Sequence, residues 1–228
     1  MNNELWLFDY NQAKSYENFS KCEDFDNKIK EYLKKEYNFS SKVVLEIGSG
    51  SGKFTGFLAD NSKKVYAVEI IDSLMKINKR KNQKKENVEF LLSNAKEISL
   101  RDKSIDYVFA GWSLTSMRNI FEELFKQINR LLKPDGKIII IENGGNDEFC
   151  KLLNIEKFTN QMINEYYKMG LRKKIILNTI IKFDKHKTFY NAFPAYNNIK
   201  LKSLKLNHNV IIMEKQNTEG VINENSRI

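Results

Sequence analysis

The chain is poor in the residues that build most catalytic centres. Of 228 residues only two are cysteine and two are histidine. Cys22 and Cys150 lie far apart and neither stands in a Cys-x-x-Cys pair, so neither a disulfide framework nor a thiolate zinc site is indicated, and both read as ordinary buried thiols. His186 and His208 lack metal-ligand spacing, which sets aside histidine-rich metal centres and hydrolytic triads. The longest uninterrupted apolar runs have four residues, as at Ile138 to Ile141, against the roughly 20 that a membrane span needs. The N-terminus also lacks the basic-then-apolar order of a signal peptide, so the expectation is a soluble, cytoplasmic protein with no membrane partner. Only 10 glycines and 2 prolines, beside 41% hydrophobic residues, exclude collagen-like, low-complexity and disordered chains. The length favours one large α/β domain over two small ones.

What the chain has in excess is positive charge. The formal net charge is +9, which ordinarily points to a polyanionic partner. Yet of 38 basic residues 32 are lysine and only 6 are arginine, a skew that an AT-rich genome produces unaided. Arginine is the better reader of phosphates and bases, so its scarcity counts against nucleic acid. The densest run, Lys76 to Lys85, falls at the C-terminal end of an expected helix, where cations suit the helix dipole, and has no interleaved aromatic readers.

Ser20 and Glu23 have capping-box spacing, and Phe25, Ile29, Tyr32 and Leu33 follow at helical period, which predicts a helix from about Ser20 to Tyr37. From Lys42 strands and helices alternate: VVLEI, a glycine run opening a helix, VYAVEI, a helix capped by Asp72, then NVEFLL and SIDYVFAGW. That order predicts a parallel, doubly wound sheet. The segment from Ser116 to Lys133 carries Ile120, Leu124, Ile128 and Leu131 on one helical face and stops at Pro134-Asp135-Gly136, a turn ahead of the strand KIIIIE. A long helix from about Asp147 to Met169, the stretch RKKIILNTIIKF, a short helix near His186 to Phe193 and a last strand around Val210 to Met213 complete the chain.

The most informative segment is Val43 to Gly52, VVLEIGSGSG, where a buried strand runs into three glycines and then a helix. Glycines let backbone approach a ligand, and the helix start offers free N–H groups to a negative group. The dinucleotide pattern G-x-G-x-x-G puts its third glycine at Lys53, and the P-loop pattern needs Ser or Thr where Phe54 stands, so neither phosphate motif is met.

Glu46-Ile-Gly48-Ser-Gly50-Ser-Gly52 after a first strand resembles motif I of the class I S-adenosylmethionine-dependent methyltransferases, in particular their type 11-like small-molecule group. The resemblance covers about Lys42 to Glu142. It implies a mostly parallel, seven-stranded, Rossmann-like α/β sheet with helices on both faces. It also implies a helical lid over residues 1–40 and the methyltransferase domain over 41–228, in a single globular unit. The implied cofactor is S-adenosylmethionine, held by Glu46, Gly48, Ser49, Gly50 and Gly52. Glu69, 17 residues past Gly52, then accepts from the ribose hydroxyls, and Ile70 packs on the adenine. Asn94, followed by Ala95, stands where the family commonly has an Asp for the adenine amino group, a departure that its amide oxygen can bridge. Ala110 and Trp112 close the fourth strand near the sulfonium and the acceptor. Ala13-Lys14-Ser15-Tyr16 resembles an Ala-x-x-Tyr lid pattern that brings the Tyr16 hydroxyl to the cofactor carboxylate. Plain structural alternatives stand beside these: a solvated strand-end Glu69, a loop Asn94, a core Trp112, and N-terminal aromatics (Trp6, Phe8, Tyr10, Tyr16, Phe19) that only pin the chain.

Other methyltransferase chemistries fit less well. No Asn-Pro-Pro-Tyr motif follows the fourth strand, and neither cysteine is placed for attack on a cytosine ring. Glu142-Asn143 imitates half of a metal-dependent site, but Ala110-Gly111-Trp112 lacks the other acid, so no metal is expected. The expected activity is methyl transfer to an oxygen or nitrogen of a small-molecule acceptor. RNA modification and a catalytically silent cofactor- or partner-binding fold are the alternatives. Should a base be needed, His186, His208, Glu142 or a tyrosine is available, and the sequence does not choose among them.

Overall fold

The aliphatic runs of the sequence form the strands of one sheet. In the computed structural model, which describes residues 13–217, these are β1 (Val43–Ile47), β2 (Lys64–Glu69), β3 (Val88–Leu92), β4 (Ile105–Gly111), β5 (Leu132–Asn143), β6 (Arg172–Lys182) and β7 (Lys205–Gln216). Their order across the sheet is β3-β2-β1-β4-β5-β7-β6. β1 to β5 run parallel, while β7 pairs antiparallel with both β5 and β6. The strand order reverses between β1 and β4, and the crevice beyond the carboxyl ends of such strands is where open α/β sheets bind ligands.

Eight helices cover the sheet: α1 (Ala13–Ser20), α2 (Lys28–Glu36), α3 (Thr55–Asn61), α4 (Asp72–Asn82), α5 (Phe121–Leu131), α6 (Glu148–Leu152), α7 (Glu156–Lys168) and α8 (His186–Ala192), counted among the described residues. Successive strand residues point to opposite faces, and here both faces are buried, which is why β5 carries the unbroken apolar run Ile138 to Ile141. Leu45, Ile47, Val108 and Ile140 pack with Leu124 and Ile128 of α5 and Tyr166 of α7. On the other face Val44, Phe109, Ile139 and Ile141 pack with Ile29 and Leu33 of α2 and Leu58 of α3. A third cluster gathers Phe19, Phe149, Phe183 and Phe193 with both cysteines, which are free and buried.

The structure corrects several boundaries read from the sequence. Ser20 ends α1 instead of capping a helix, and α2 begins only at Lys28, because Asp24 and Asn27 take left-handed φ of 51° and 57°. Asp24 supplies the capping bond there, its Oδ1 accepting from Ile29 N at 3.1 Å. The long helix expected over 147–169 is broken into α6 and α7 where Asn154 turns to φ 52°. Pro134-Asp135-Gly136 lies inside β5 as a bulge, the register with β4 jumping from Ile105–Leu132 to Tyr107–Lys137. Asp72 sits in the first turn of α4, with Ile71 at the cap position.

The segment expected as a lid, residues 1–40, divides in the structure. Ile29 and Leu33 are fully buried against the sheet, so α2 belongs to the core layer. Among the described residues of this segment Tyr16 and Phe19 of α1, with Glu23 after it, border the crevice beyond the strand ends, and Trp6, Phe8 and Tyr10 lie outside the described residues. Phe19 anchors α1, its ring 4.8 Å from that of Phe193 and stacked at 6.0 Å on Phe149. Phe19→Ala is therefore expected to lower the unfolding free energy by about 3 to 5 kcal/mol in urea titrations. A loss below about 1 kcal/mol would show that this cluster does not hold α1.

Candidate cofactor and acceptor site

The glycine loop leaves β1 in a conformation that side chains resist. Gly48 has φ +66°, and a Cβ there would overlap the Ser113 side chain at the end of β4. Gly50 has φ +54°, and a Cβ there would come within 3.1 Å of the Tyr16 hydroxyl on α1. These two positions thus need glycine both for the turn and for the close approach of neighbouring elements. Ser113 Oγ reinforces the contact by donating to the Ile47 carbonyl at 2.7 Å.

Glu69, at the carboxyl end of β2, clasps the loop. Its Oε2 accepts from Gly50 N at 2.8 Å, and its Oε1 accepts from Ile70 N and Ile71 N at 2.9 Å each. Burial pushes its pKa up while the three backbone N–H groups oppose the shift. A carboxylate offers about four acceptor sites, so one on Oε2 remains for a further donor. Ile70 beside it is 60% exposed, an apolar side chain presented to the crevice.

Two cavities open around this clasp. One of about 240 Å³ is walled by Gly48, Gly50, Glu69 and Ile70, by Tyr16, Phe19 and Glu23 of the N-terminal segment, and by Trp112, Ser113, Glu142, Asn143 and Phe149. The other, of about 210 Å³, shares Gly48, Glu69 and Ile70 and adds Ser93, Asn94, Ala95 and Asn119. The structure therefore brings together Tyr16, Gly48, Gly50, Glu69, Ile70, Asn94, Ala95 and Trp112. Asn94 Oδ1 accepts from Lys96 N at 3.2 Å, which fixes the loop that presents it.

Four of the expected residues lie off the cavity walls. Ala110 is enclosed in the core. Ser49 is buried with its hydroxyl unpartnered. A Cβ on Gly52 would overlap the Asn78 amide. Glu46 is buried and its Oε2 accepts from Thr55 Oγ1 at 2.6 Å, so it braces the helix that follows the loop. Burial pushes its pKa up to about 8, opposed by the Thr55 hydroxyl and aided by Glu69.

Trp112 has φ 52°, unusual for an aromatic residue. Its N–H donates to Ile141 O at 2.7 Å, and its ring stacks on Phe54 at 5.8 Å and on His208 at 6.1 Å. Its indole Nε1 is buried without a partner. His208 Nε2 lies 3.0 Å from Asn143 Oδ1; an amide oxygen only accepts, so Nε2 carries the proton. Burial, with Lys53 adding, pushes the His208 pKa down to about 3, so it stays neutral and does not shuttle protons near neutral pH. His186 is exposed at the start of α8 and borders neither cavity.

Lys53, Thr115 and Tyr166, beside the larger cavity, were not singled out by the sequence, and they set the surroundings of Glu23 and Glu142. Lys53 passes its ammonium between elements: it donates to the carbonyls of Ser20 and Glu23, pairs with the Glu23 carboxylate at 3.5 Å, and lies 5.3 Å from the Trp112 ring centroid. Glu23 is pushed up to about 7 by burial against the pull of Lys53. Glu142 accepts from Thr115 N at 3.2 Å and Thr115 Oγ1 at 3.0 Å. The Thr115 hydroxyl proton is committed to Glu142, so the Tyr166 hydroxyl, 2.6 Å away, donates to Thr115. The only signal for Lys53 was its place after Gly52; Thr115 and Tyr166 gave none, since they meet Glu142 from distant segments.

Burial pushes both thiols up, Cys22 to about 11, which suits inert cysteines. Among the described residues no cluster of three or more His, Cys, Asp or Glu could hold a metal ion, and no helix is long and apolar enough to cross a membrane. Part of the lysine run is spent in ion pairs, Lys81 with Glu17 and Lys85 with Asp60.

A strand-ending glycine loop, a carboxylate clasp at the end of the next strand and a crevice at the reversal of strand order are the marks of one class. Residues 45–140 match the family model described as a methyltransferase domain. A solved S-adenosylmethionine-dependent methyltransferase from Aquifex aeolicus has the same fold, with a TM-score of 0.64 at 19% identity over 91% of this chain and 98% of that one. Phosphoethanolamine N-methyltransferase 1 of Triticum aestivum is 36% identical over 131 residues, 54% of this chain and 26% of that protein. Demethylmenaquinone methyltransferase of Staphylococcus aureus is 28% identical over 102 residues, 43% of this chain and 42% of that protein. The chain thus spans about a quarter of the wheat protein and less than half of the staphylococcal one.

The titration of Glu46 has a measurable sign. Folded, it holds its proton up to about 8 against an ordinary 4.5, so the stability it contributes is full below the ordinary value and is lost as pH rises through about 8. Glu46→Gln is expected to flatten the decline of melting temperature between about pH 5 and pH 8 relative to the parent protein. Parallel declines in the two proteins would contradict it.

Proposed function

We propose that this chain transfers a methyl group from S-adenosylmethionine to an oxygen or nitrogen of a small-molecule acceptor. The observation that carries this reading is the junction at Glu69, where one carboxylate closes the glycine loop and borders both cavities. The residues present fit the cofactor. Gly48 and Gly50 leave room that side chains would fill, the spare acceptor site of Glu69 suits a ribose hydroxyl, and exposed Ile70 suits an adenine face. Asn94 and Ala95 would receive the base in the second cavity, and Tyr16, over Gly50, would meet the amino-acid end. Trp112 would stand at the methyl group, and Glu46, Ser49, Gly52 and Ala110 would act by shaping the loop and strand from behind.

S-adenosylmethionine, when bound, supplies a methyl group already activated on sulfur. The chain's part is then to align the acceptor and to exclude water. α1 supports a covering role, because Tyr16 and Phe19 both border the cavity while Phe19 is anchored in the core. A small, partly aromatic cavity favours a metabolite over RNA, as does the pairing of lysines on α4 with carboxylates. The wheat and staphylococcal relatives are named for different acceptors, so the family match does not select one.

Calorimetry tests the reading. S-adenosylmethionine and its demethylated product should both bind, and Glu69→Ala should weaken binding at least about tenfold, the worth of a charge-assisted hydrogen bond of roughly 1.5 to 3 kcal/mol. Absence of binding by the intact protein would overturn the reading. Saturable, submicromolar methylation of a particular RNA at physiological salt would replace the metabolite acceptor.

A further inference from the structure

The acceptor half of the larger cavity has an unusual charge inventory. Away from Gly48, Glu69 and Ile70, its wall includes Glu23, Trp112, Glu142, Asn143 and Phe149. Among the described residues no lysine, arginine or histidine borders it. The nearest ammonium, that of Lys53, is engaged by the Ser20 and Glu23 carbonyls and by the Glu23 carboxylate. Glu23 is thereby compensated. Glu142 is not: it is 4% exposed and its described partners are neutral donors, the Thr115 N–H and hydroxyl backed by Tyr166.

A buried carboxylate without a counter-charge is costly, and an arriving cation relieves that cost. Among the described residues the same wall offers no cationic side chain to pair with a phosphate, carboxylate or sulfate on the acceptor. Its aromatic members suit the carbon part of a short chain. Since the methionine end of the cofactor would occupy part of the 240 Å³, little room is left for a large molecule. The Thr115 N–H and hydroxyl orient the two Glu142 oxygens, one each, and the Tyr166 hydroxyl and Leu114 N–H stand beside them, all of them neutral donors.

Resting on the methyltransferase reading, we infer that the acceptor is a small aliphatic amine without an anionic group, bound as its ammonium ion against Glu142 and methylated on nitrogen. The step balances with the chain's own groups. One ammonium proton passes to a Glu142 oxygen, freeing the nitrogen lone pair. That pair forms the N–C bond to the methyl carbon as the C–S bond breaks and its electrons return to sulfur. The products are an N-methylammonium ion and the neutral thioether, and the proton on Glu142 leaves to solvent. Burial places Glu142 at about 7, which suits a group that must both accept and release a proton near neutrality.

The experiment loads the full chain with S-adenosylhomocysteine, confirms that loading by calorimetry, and then titrates ethanolamine, N-methylethanolamine, propylamine, phosphoethanolamine, phenol and acetate. Failure to load would indict the methyltransferase reading itself, and with it this inference. With loading intact, at least one unphosphorylated amine should bind saturably, and at least about tenfold more tightly than phosphoethanolamine or acetate. Glu142→Gln keeps the size of the side chain and should weaken that amine at least about tenfold while changing S-adenosylhomocysteine affinity less than about twofold. With S-adenosylmethionine in its place, mass spectrometry should find the added methyl on nitrogen. Binding by none of the amines, preference for phosphoethanolamine, equal amine affinity in Glu142→Gln, or methylation of phenol instead would each overturn the inference. A Glu142→Gln protein that no longer unfolds cooperatively shifts the comparison to Thr115→Val, which removes the hydroxyl donor to Glu142 and should alter amine affinity but not S-adenosylhomocysteine affinity.

Discussion

One carboxylate ties the site together. Glu69 takes the N–H of Gly50 on one oxygen and those of Ile70 and Ile71 on the other, joining the loop after β1 to the end of β2. Hydrogen bonds of this charge-assisted kind are strong in a dry setting, and here they hold a loop whose left-handed glycines have no side chains of their own to anchor it. The consequence spreads sideways, since Gly48 can lie against Ser113 only while the loop keeps this path, and Ser113 in turn fixes the end of β4. The walls of both cavities are therefore set by one strand-end residue and the amides around it.

The acceptor side is built on a different economy of charge. Burial raises Glu23, Glu46 and Glu142; Lys53 pairs with Glu23 and Lys81 pulls on Glu46, while the described groups acting on Glu142 are neutral donors. Lys53 serves as a cross-tie, fastening the turn after α1 to the helix that follows the glycine loop and resting against the Trp112 ring. Trp112 keeps a left-handed backbone because its own N–H reaches β5 and its ring is stacked on two neighbours, a strained arrangement of the sort that packing must over-determine. His208, for all its rarity in this sequence, is a packed neutral ring that orients Asn143.

Much of this was legible beforehand, for identifiable reasons. The strands announced themselves because both faces of the sheet are buried, and the glycine loop because its spacing excluded two phosphate motifs and matched a third pattern. Glu69 was legible by its distance from Gly52. What stayed hidden depended on tertiary partners or on single backbone torsions. The turn at Asp24 and Asn27 and the break at Asn154 each hinge on a left-handed residue that helical periodicity does not register. The placing of Glu46 beneath the loop followed from Thr55, and the tuning of Glu142 from Thr115 and Tyr166, which only the fold brings together.

The central claim is that the Glu69 clasp is a cofactor seat, and a crystal structure of the chain grown with S-adenosylhomocysteine tests it most directly. The account predicts both ribose hydroxyls at Glu69, within hydrogen-bond reach of its carboxylate or of a water on it, the adenine against Ile70 beside Asn94, and the sulfur facing Trp112. S-adenosylhomocysteine bound elsewhere, or Glu69 keeping its three backbone partners with no ligand beside it at saturating concentration, would contradict it.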